Sequence, residues 1–160
     1  MKPIIRAVRK EDVPHLKDVL DSIELFPSDM LDGMISNYFD DPKTEEIWFT
    51  ATEDDRPLSI GFCAPEQLTE GTYNLYAIGV KSDLQGQGVG EKMMAYLEAQ
   101  LSATGQRILI VETSGTDELA LTRKFYEKLG YHKEAVIRDF WKDGDDKVIY
   151  WKKLKNTSND

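Results

Sequence analysis

The chain contains one cysteine, Cys63, and two histidines, His15 and His132. A lone thiol excludes an internal disulfide framework and suits a reducing compartment. Cys63 sits in an apolar, strand-like segment, so it reads as an inert buried thiol rather than a nucleophile. The two histidines share no ligand spacing with each other or with Cys63, and no metal is expected. Basic charge is also scarce. Twenty Lys and Arg against 29 Asp and Glu leave a net charge of −9. That is the wrong sign for a general nucleic-acid binder and mildly favours cationic partners such as amines. No apolar run approaches the roughly 20 residues that span a bilayer, and Met1–Arg6 lacks the apolar region of a signal peptide. These absences predict a cytoplasmic protein with neither membrane nor nucleic-acid partners.

What remains is the composition of an ordinary globular domain, 41% hydrophobic and 31% charged over 160 residues, long enough for a proper core. No repeat, low-complexity block or linker is visible. Ile4 to Val8 reads as a short strand, and Lys10-Glu11-Asp12 opens a helix with Val13, Leu16, Val19 and Leu20 as its apolar stripe. Ser28-Asp29 can cap a second helix from Met30 to Phe39, ended by Asp40-Asp41-Pro42. Strands are predicted over Glu46–Thr52 and Leu58–Ala64 around a polar hairpin turn, and over Tyr73–Val80. A helix follows over Gly88–Ala103. The run Arg107–Glu112 is apolar on both faces, as in a central strand covered from two sides. A further helix ends at Gly130, and the strands Tyr131–Trp141 and Lys147–Leu154 flank an Asp143-Gly144 turn. The order predicts an α/β (α+β) fold. A mixed, mostly antiparallel twisted sheet of about seven strands would carry helices on both faces. One domain is expected over residues 3–154, followed by a polar tail, 155–160.

The stretch that organises the chain is Asn74–Glu91. Leu75–Val80 is β-friendly, Lys81–Leu84 is a polar break, and glycines then alternate through Gly86, Gly88 and Gly90. Val89, Met93, Tyr96, Leu97 and Leu101 follow at helical spacing. A glycine turn leading into a helix N-terminus is an anion site, because unpaired N–H groups point outward and no Cβ holds the anion away. The spacing excludes two familiar versions. A P-loop needs Lys-Ser/Thr after its last glycine, where Glu91 stands. A dinucleotide fingerprint starting at Gly86 and Gly88 also meets Glu91 at its final position.

Gln85-x-x-Gly88-x-Gly90 after a strand resembles the pyrophosphate motif of the GNAT superfamily, the acyl-coenzyme A-dependent N-acyltransferases, and the element order resembles that fold over about residues 3–154. Arg123-Lys124-Phe125-Tyr126-Glu127-Lys128-Leu129-Gly130-Tyr131 is similar to the run that ends the family's penultimate helix. The resemblance implies an N-acetyltransferase that moves an acetyl group from acetyl-CoA to a primary amine in a ternary complex, with no metal. Gln85, Gly86, Gln87, Gly88, Val89, Gly90 and Glu91 would take the pyrophosphate. Main-chain groups of Ile78, Gly79, Val80 and Thr113 would take the pantetheine arm. Tyr126 would meet the departing thiolate.

Two departures stand out. Ser82 occupies a common proline position, and Leu119 replaces an asparagine found in many members, so its polar contacts would fall to Thr113, Ser114 or Arg123. The strand before the glycine loop has no carboxylate. Glu112, at the end of the next strand, is the candidate base, directly or through water; water alone is the alternative. The first helix-loop-helix helps form the acceptor site in relatives. The last hairpin, Arg138–Lys147, is similar to that of enzymes acting on protein N-termini, and its aromatic and acidic groups suit a small amine or amino acid equally. The sequence leaves open a homodimer, and also a non-catalytic acyl-CoA-binding or sensing domain.

Overall fold

The computed structural model describes residues 2–155; the expected polar tail lies outside them from residue 156 onward. The chain forms two compact units. The first runs to Ala64 and includes Tyr76–Ala99; the second comprises Pro65–Leu75 and the residues from Gln100.

In the first unit, β1 (Ile4–Ala7) leads through a 3-10 turn into α1 (Val13–Asp21), and a second 3-10 turn precedes α2 (Leu31–Asp40). Pro14 sits in the first turn of α1, where its missing N–H costs nothing. The strand β2 (Ile47–Glu53) is buried from Trp48 to Thr52. Two buried hydroxyls keep this run satisfied: Thr50 donates to the Ser59 carbonyl at 2.7 Å, and Ala51 N–H donates to Ser59 Oγ at 2.7 Å. Leu16, Val19, Leu20, Leu31, Ile35 and Trp48 form the core between helices and strands. Asp54 and Asp55 take φ of 51° and 62°, the pair of positive values that a tight two-residue hairpin requires.

The predicted strand Leu58–Ala64 is found as β4 (Ser59–Pro65), and within the predicted turn Arg56–Pro57 adds a short β3 on β2. Between the two, Leu58 N–H donates to the Ala51 carbonyl at 2.7 Å. The sheet therefore has eight strands, in the order β1-β2-β4-β5-β6-β8-β7 with β3 on β2. It is mixed and mostly antiparallel. Here β5 is Thr72–Val80, β6 is Ile108–Ser114, β7 is His132–Lys142 and β8 is Asp145–Lys153. Phe49 faces Gly61 in register, and a Cβ at Gly61 would lie 2.4 Å from the Phe49 ring. The absent side chain lets that ring pass and reach Tyr96 of α3 (Val89–Ala103), 5.9 Å centroid to centroid.

In the second unit β5 and β6 pair in parallel from Thr72↔Ile108 to Leu75↔Val111. β8 lies antiparallel to β6, and β7 antiparallel to β8. The sequence predicts a β6 buried on both faces. Leu109 and Val111 are buried, but Ile108 and Ile110 are only half-buried, as is Trp151, which pairs with Ile110 from β8. The β6 strand also extends past its predicted end at Glu112: Thr113 and Ser114 pair with Val148 and Lys147. The helix α4 (Ala120–Lys128) follows a 3-10 turn that contains Leu119. Tyr126, Tyr131 and Tyr150 pack as a buried aromatic cluster at 5.9 Å centroid distances.

Candidate active site

The first unit supplies the glycine loop. Val89, Met93, Met94, Leu97 and Leu101 anchor one face of α3 in the core, so the helix start is held while residues 85–88 stay exposed. Gln85 Nε2 donates to the Val80 carbonyl at 3.1 Å, tying the loop back to the end of its strand. Gly86 and Gly88 have φ of +78° and +83°, and nothing lies within 4 Å of where a Cβ would be. The open space means that packing does not demand glycine here. The backbone conformation does, and it leaves the N–H groups at the start of α3 approachable. That is the donor set a pyrophosphate requires. Gly79 has a different reason for lacking a side chain, since a Cβ there would meet Ile23 Cδ1 at 2.5 Å. Glu91 and Gln87 are exposed on the loop and first helical turn. In the same unit a shallow cleft is lined by Leu20, Asp21, Glu24, Leu25 and Phe26.

The second unit holds Glu112 in an organised polar centre. Its Oε1 pairs with Lys147 Nζ at 2.7 Å, and its Oε2 accepts from Asn74 Nδ2 at 3.1 Å. The same Asn74 nitrogen donates to Glu66 at 2.8 Å. Asn74 is 1% exposed, and its Oδ1 is buried with no hydrogen-bond partner. Lys147 also lies 4.0 Å from the Phe140 ring centroid and 5.7 Å from that of Trp141. An ammonium thus rests between a carboxylate and aromatic faces, the surroundings that suit an amine cation. Lys147, Asn74 and Glu66 escape the sequence reading, because strand register brings them together from positions far apart in the chain. A second cleft, lined by Gly105, Arg107, Ile108, Trp151 and Leu154, is at the opposite, N-terminal end of β6. Open-sheet ligands favour the C-terminal ends of strands, where Glu112 is found.

Tyr126 lies in the aromatic cluster, 3% exposed, and burial pushes its phenol above the usual tyrosine value. Its neighbour Tyr150 donates to Glu127 Oε2 at 2.6 Å; burial and this carboxylate raise the Tyr150 phenol to about 12. Arg123 Nη1 donates to the carbonyls of Ser114 and Thr116 at 2.8 and 2.6 Å, bracing the β6–α4 connection. Ser114 Oγ donates to Asp145, and the Thr113 carbonyl accepts from Trp141 Nε1 at 3.4 Å. Cys63 is fully buried, and desolvation pushes its thiol up. Among the described residues, no cluster of His, Cys, Asp and Glu could hold a metal ion, and no helix is long and apolar enough to cross a membrane.

A glycine loop opening a helix after a strand, on a mixed, mostly antiparallel sheet, is the architecture of a coenzyme A-type acyltransferase. The profile of the acetyltransferase (GNAT) domain matches residues 44–133, and the chain belongs to that family. A candidate GNAT acetyltransferase from Desulfovibrio desulfuricans is 32% identical with a TM-score of 0.89, aligned over 96% of this chain and all of the other. The ribosomal-protein-S18-alanine N-acetyltransferase of Escherichia coli shares the fold at 19% identity and TM-score 0.77, over 96% and 95% of the two chains. An aminoglycoside 6'-N-acetyltransferase solved with coenzyme A shares it at 17% identity and TM-score 0.77, over 95% and 97%. An uncharacterized N-acetyltransferase of Methanocaldococcus jannaschii is 25% identical over 87 residues, 54% of either chain. This chain therefore aligns with about half the length of that curated relative.

Proposed function

We propose that the protein is a single-domain N-acetyltransferase moving the acetyl group of acetyl-CoA to a primary amine by direct transfer. The observation that carries this reading is the loop Gln85–Gly90, with its two left-handed glycines opening α3. Bound acetyl-CoA supplies a thioester whose carbonyl accepts the amine. The loop N–H groups hold the pyrophosphate, and main-chain groups of Ile78–Val80 and Thr113 take the pantetheine arm. Arg123 supports the arm indirectly by fixing the carbonyls of Ser114 and Thr116.

The acceptor arrives as an ammonium with a lysine-like pKa of about 10.4, so it must lose a proton before it attacks. Glu112 is the group we assign to receive it, directly or through a water. Lys147 and Asn74 hold one oxygen each, which fixes the carboxylate's orientation. As the carbon–sulfur bond breaks, charge develops on sulfur and Tyr126 donates a hydrogen bond to it. Full protonation by this phenol is uphill: an ordinary thiol has a pKa of about 8.5, and an unperturbed tyrosine lies about 1.5 units higher, or about 2 kcal/mol. Burial adds to that gap. Tyr126 is therefore a hydrogen-bond donor in the transition state, and it stays protonated throughout the working pH range.

The acceptor side favours cations. Asp21 and Glu24 line the cleft after α1 alongside apolar Leu25 and Phe26, and net charge favours an amine over an acid. Small amines, amino acids and peptide N-termini share that chemistry. Thiol release from acetyl-CoA across a panel of all three tests the reading. Turnover with at least one is expected. Coenzyme binding without turnover would favour the non-catalytic acyl-CoA sensor, to which Leu119 in place of the common asparagine also points.

A further inference from the structure

We propose that the cleft at the N-terminal end of β6 is a second ligand site, separate from the transfer site, that takes a small aromatic carboxylate. Every residue lining it belongs to the second unit, and its volume is about 500 Å³, within the range of small-molecule pockets. Register brings the lining together. β6 and β8 run antiparallel with Ile108 opposite Lys153 and Ile110 opposite Trp151, so Ile108, Trp151 and Lys153 share one face of the sheet. Leu154 N–H donates to the Arg107 carbonyl at 2.8 Å and closes the end of the ladder. Ile108, Trp151 and the buried Leu154 make the apolar part of the lining, and Arg107 and Lys153 supply charge.

The polar chemistry of these side chains is one-sided. Arginine, lysine and the indole N–H donate hydrogen bonds and accept none. No carboxylate lines the cleft, although the chain carries 29 Asp and Glu. Among the described residues, no ion pair engages Arg107 or Lys153. Trp48 Nε1 donates to Glu46 and Trp141 Nε1 to the Thr113 carbonyl, whereas Trp151 Nε1 has no protein acceptor among the described residues. Arg107 is also held in place. Its Nε donates to the Glu70 carbonyl at 2.6 Å, and a Cβ at Gly71 would meet its Cγ at 3.3 Å. The terminal guanidinium nitrogens stay available, and a fork already oriented costs little ordering when an anion arrives. Donors beside an apolar wall call for a ligand with an acceptor-only charged end and an apolar body. An aromatic ring gains further by stacking on the Trp151 indole. The occupant is not the acceptor amine. Its charge has the opposite sign, and Glu112 stands four residues beyond Ile108 on β6, roughly 13 Å away at the rise of a strand.

Calorimetry on the full chain with 1-naphthoate tests the site, and 1-naphthamide, the same ring without the charge, is the control. The acid is expected to bind at one site per chain with a Kd below about 1 mM, and the amide roughly tenfold more weakly, as loss of a charge-assisted hydrogen bond implies. Arg107→Gln should weaken the acid roughly tenfold and leave the amide within about twofold. Lys153 is exposed and its side chain makes no hydrogen bond. Lys153→Glu should therefore fold as the parent does and weaken the acid by at least about threefold. Trp151→Leu should weaken both compounds, because they share the ring. Saturating acetyl-CoA should leave the naphthoate affinity unchanged. None of these measurements depends on acetyl transfer, so the result stands whether or not an acceptor is found. Equal affinity for acid and amide overturns the proposal, as does a naphthoate site indifferent to both charge variants. Competition by acetyl-CoA would place the acid at the glycine loop and overturns it too. So does the absence of binding at roughly 5 mM naphthoate.

Discussion

Replacing Tyr126 by phenylalanine removes one oxygen and leaves a ring packed against Phe125 at 5.2 Å and against Tyr131 and Tyr150 at 5.9 Å. Because the ring fills the same volume, no cavity forms. Loss of any ground-state hydrogen bond costs about 0.5–1.5 kcal/mol, so the variant should fold and bind coenzyme like the parent. The transition state is different. A neutral donor facing a developing thiolate is worth about 1.5–3 kcal/mol, which converts to a rate loss of roughly 10- to 150-fold. Full general-acid catalysis would extend the loss to roughly 10²–10⁴-fold. Since burial holds the Tyr126 phenol above its ordinary value, the lower part of that span, near 10²-fold, is the expected outcome. Single-turnover acetyl transfer to the best acceptor from the amine panel is the proper measurement, because slow product release would hide the effect in steady state. A transfer rate within a factor of two or so of the parent would return Tyr126 to the aromatic core. The loop of Thr113 and Ser114, or solvent, would then have to meet the thiolate.

Three further outcomes are expected. Gly88→Asp adds a Cβ at φ +83° and a negative charge at the anion loop, so calorimetry on the folded variant should detect no acetyl-CoA binding; retained affinity would remove the phosphate assignment. Glu112→Gln should slow transfer at neutral pH and recover as pH approaches the amine pKa of about 10.4 and free base accumulates; a penalty constant across pH would mark Glu112 as a structural partner of Lys147. Burial pushes the Asp12 carboxyl upward, but paired hydrogen bonds from Arg6 and one from Arg9 N–H outweigh it, and its pKa falls below the ordinary value of 3.8. That contribution is present in full above the ordinary value and is lost as pH falls through the folded one, so urea titrations should show Asp12→Asn costing about 3 kcal/mol at pH 7 and progressively less below pH 4.

Much of the fold was legible because it rests on local rules. The Val89–Leu101 stripe, the Asp143-Gly144 turn and the stop at Gly130 each follow from spacing or from one residue's backbone preference. The two-residue strand Arg56–Pro57 did not, because its residues read as part of the polar turn between two strands. The half-open face of β6 was hidden for another reason: Ile108 and Ile110 say what prefers burial, whereas their neighbours on that face are set by register, as with Trp151, 41 residues away from Ile110. The site divides the same way. Of the proposed site, Gln85, Gly88 and Gly90 stand out by spacing, and Glu112 by its place in the C-terminal half of its strand. The Lys147 and Asn74 contacts that orient Glu112 depend on three strands meeting, which no local window contains. The hold of Arg123 Nη1 on two loop carbonyls likewise depends on a turn whose geometry its own sequence window does not give.

The way the chain visits its two units has a consequence during synthesis. It passes from one to the other after Ala64, again after Leu75 and again after Ala99. Neither unit is therefore one continuous segment. A nascent chain that has emerged to Ala64 already carries the whole core cluster from Val8 to Ile60, whereas Val89, Met93 and Leu97 of the same unit arrive only with α3. Residues 65–75 can meet β4 as soon as they emerge, but the second neighbour of their strand, β6, begins only at Ile108. Domain-by-domain folding on the ribosome normally releases finished modules in order; here a short piece of the second unit keeps one edge open until β6 is made. The same interleaving means that no single cut in the chain separates the two units.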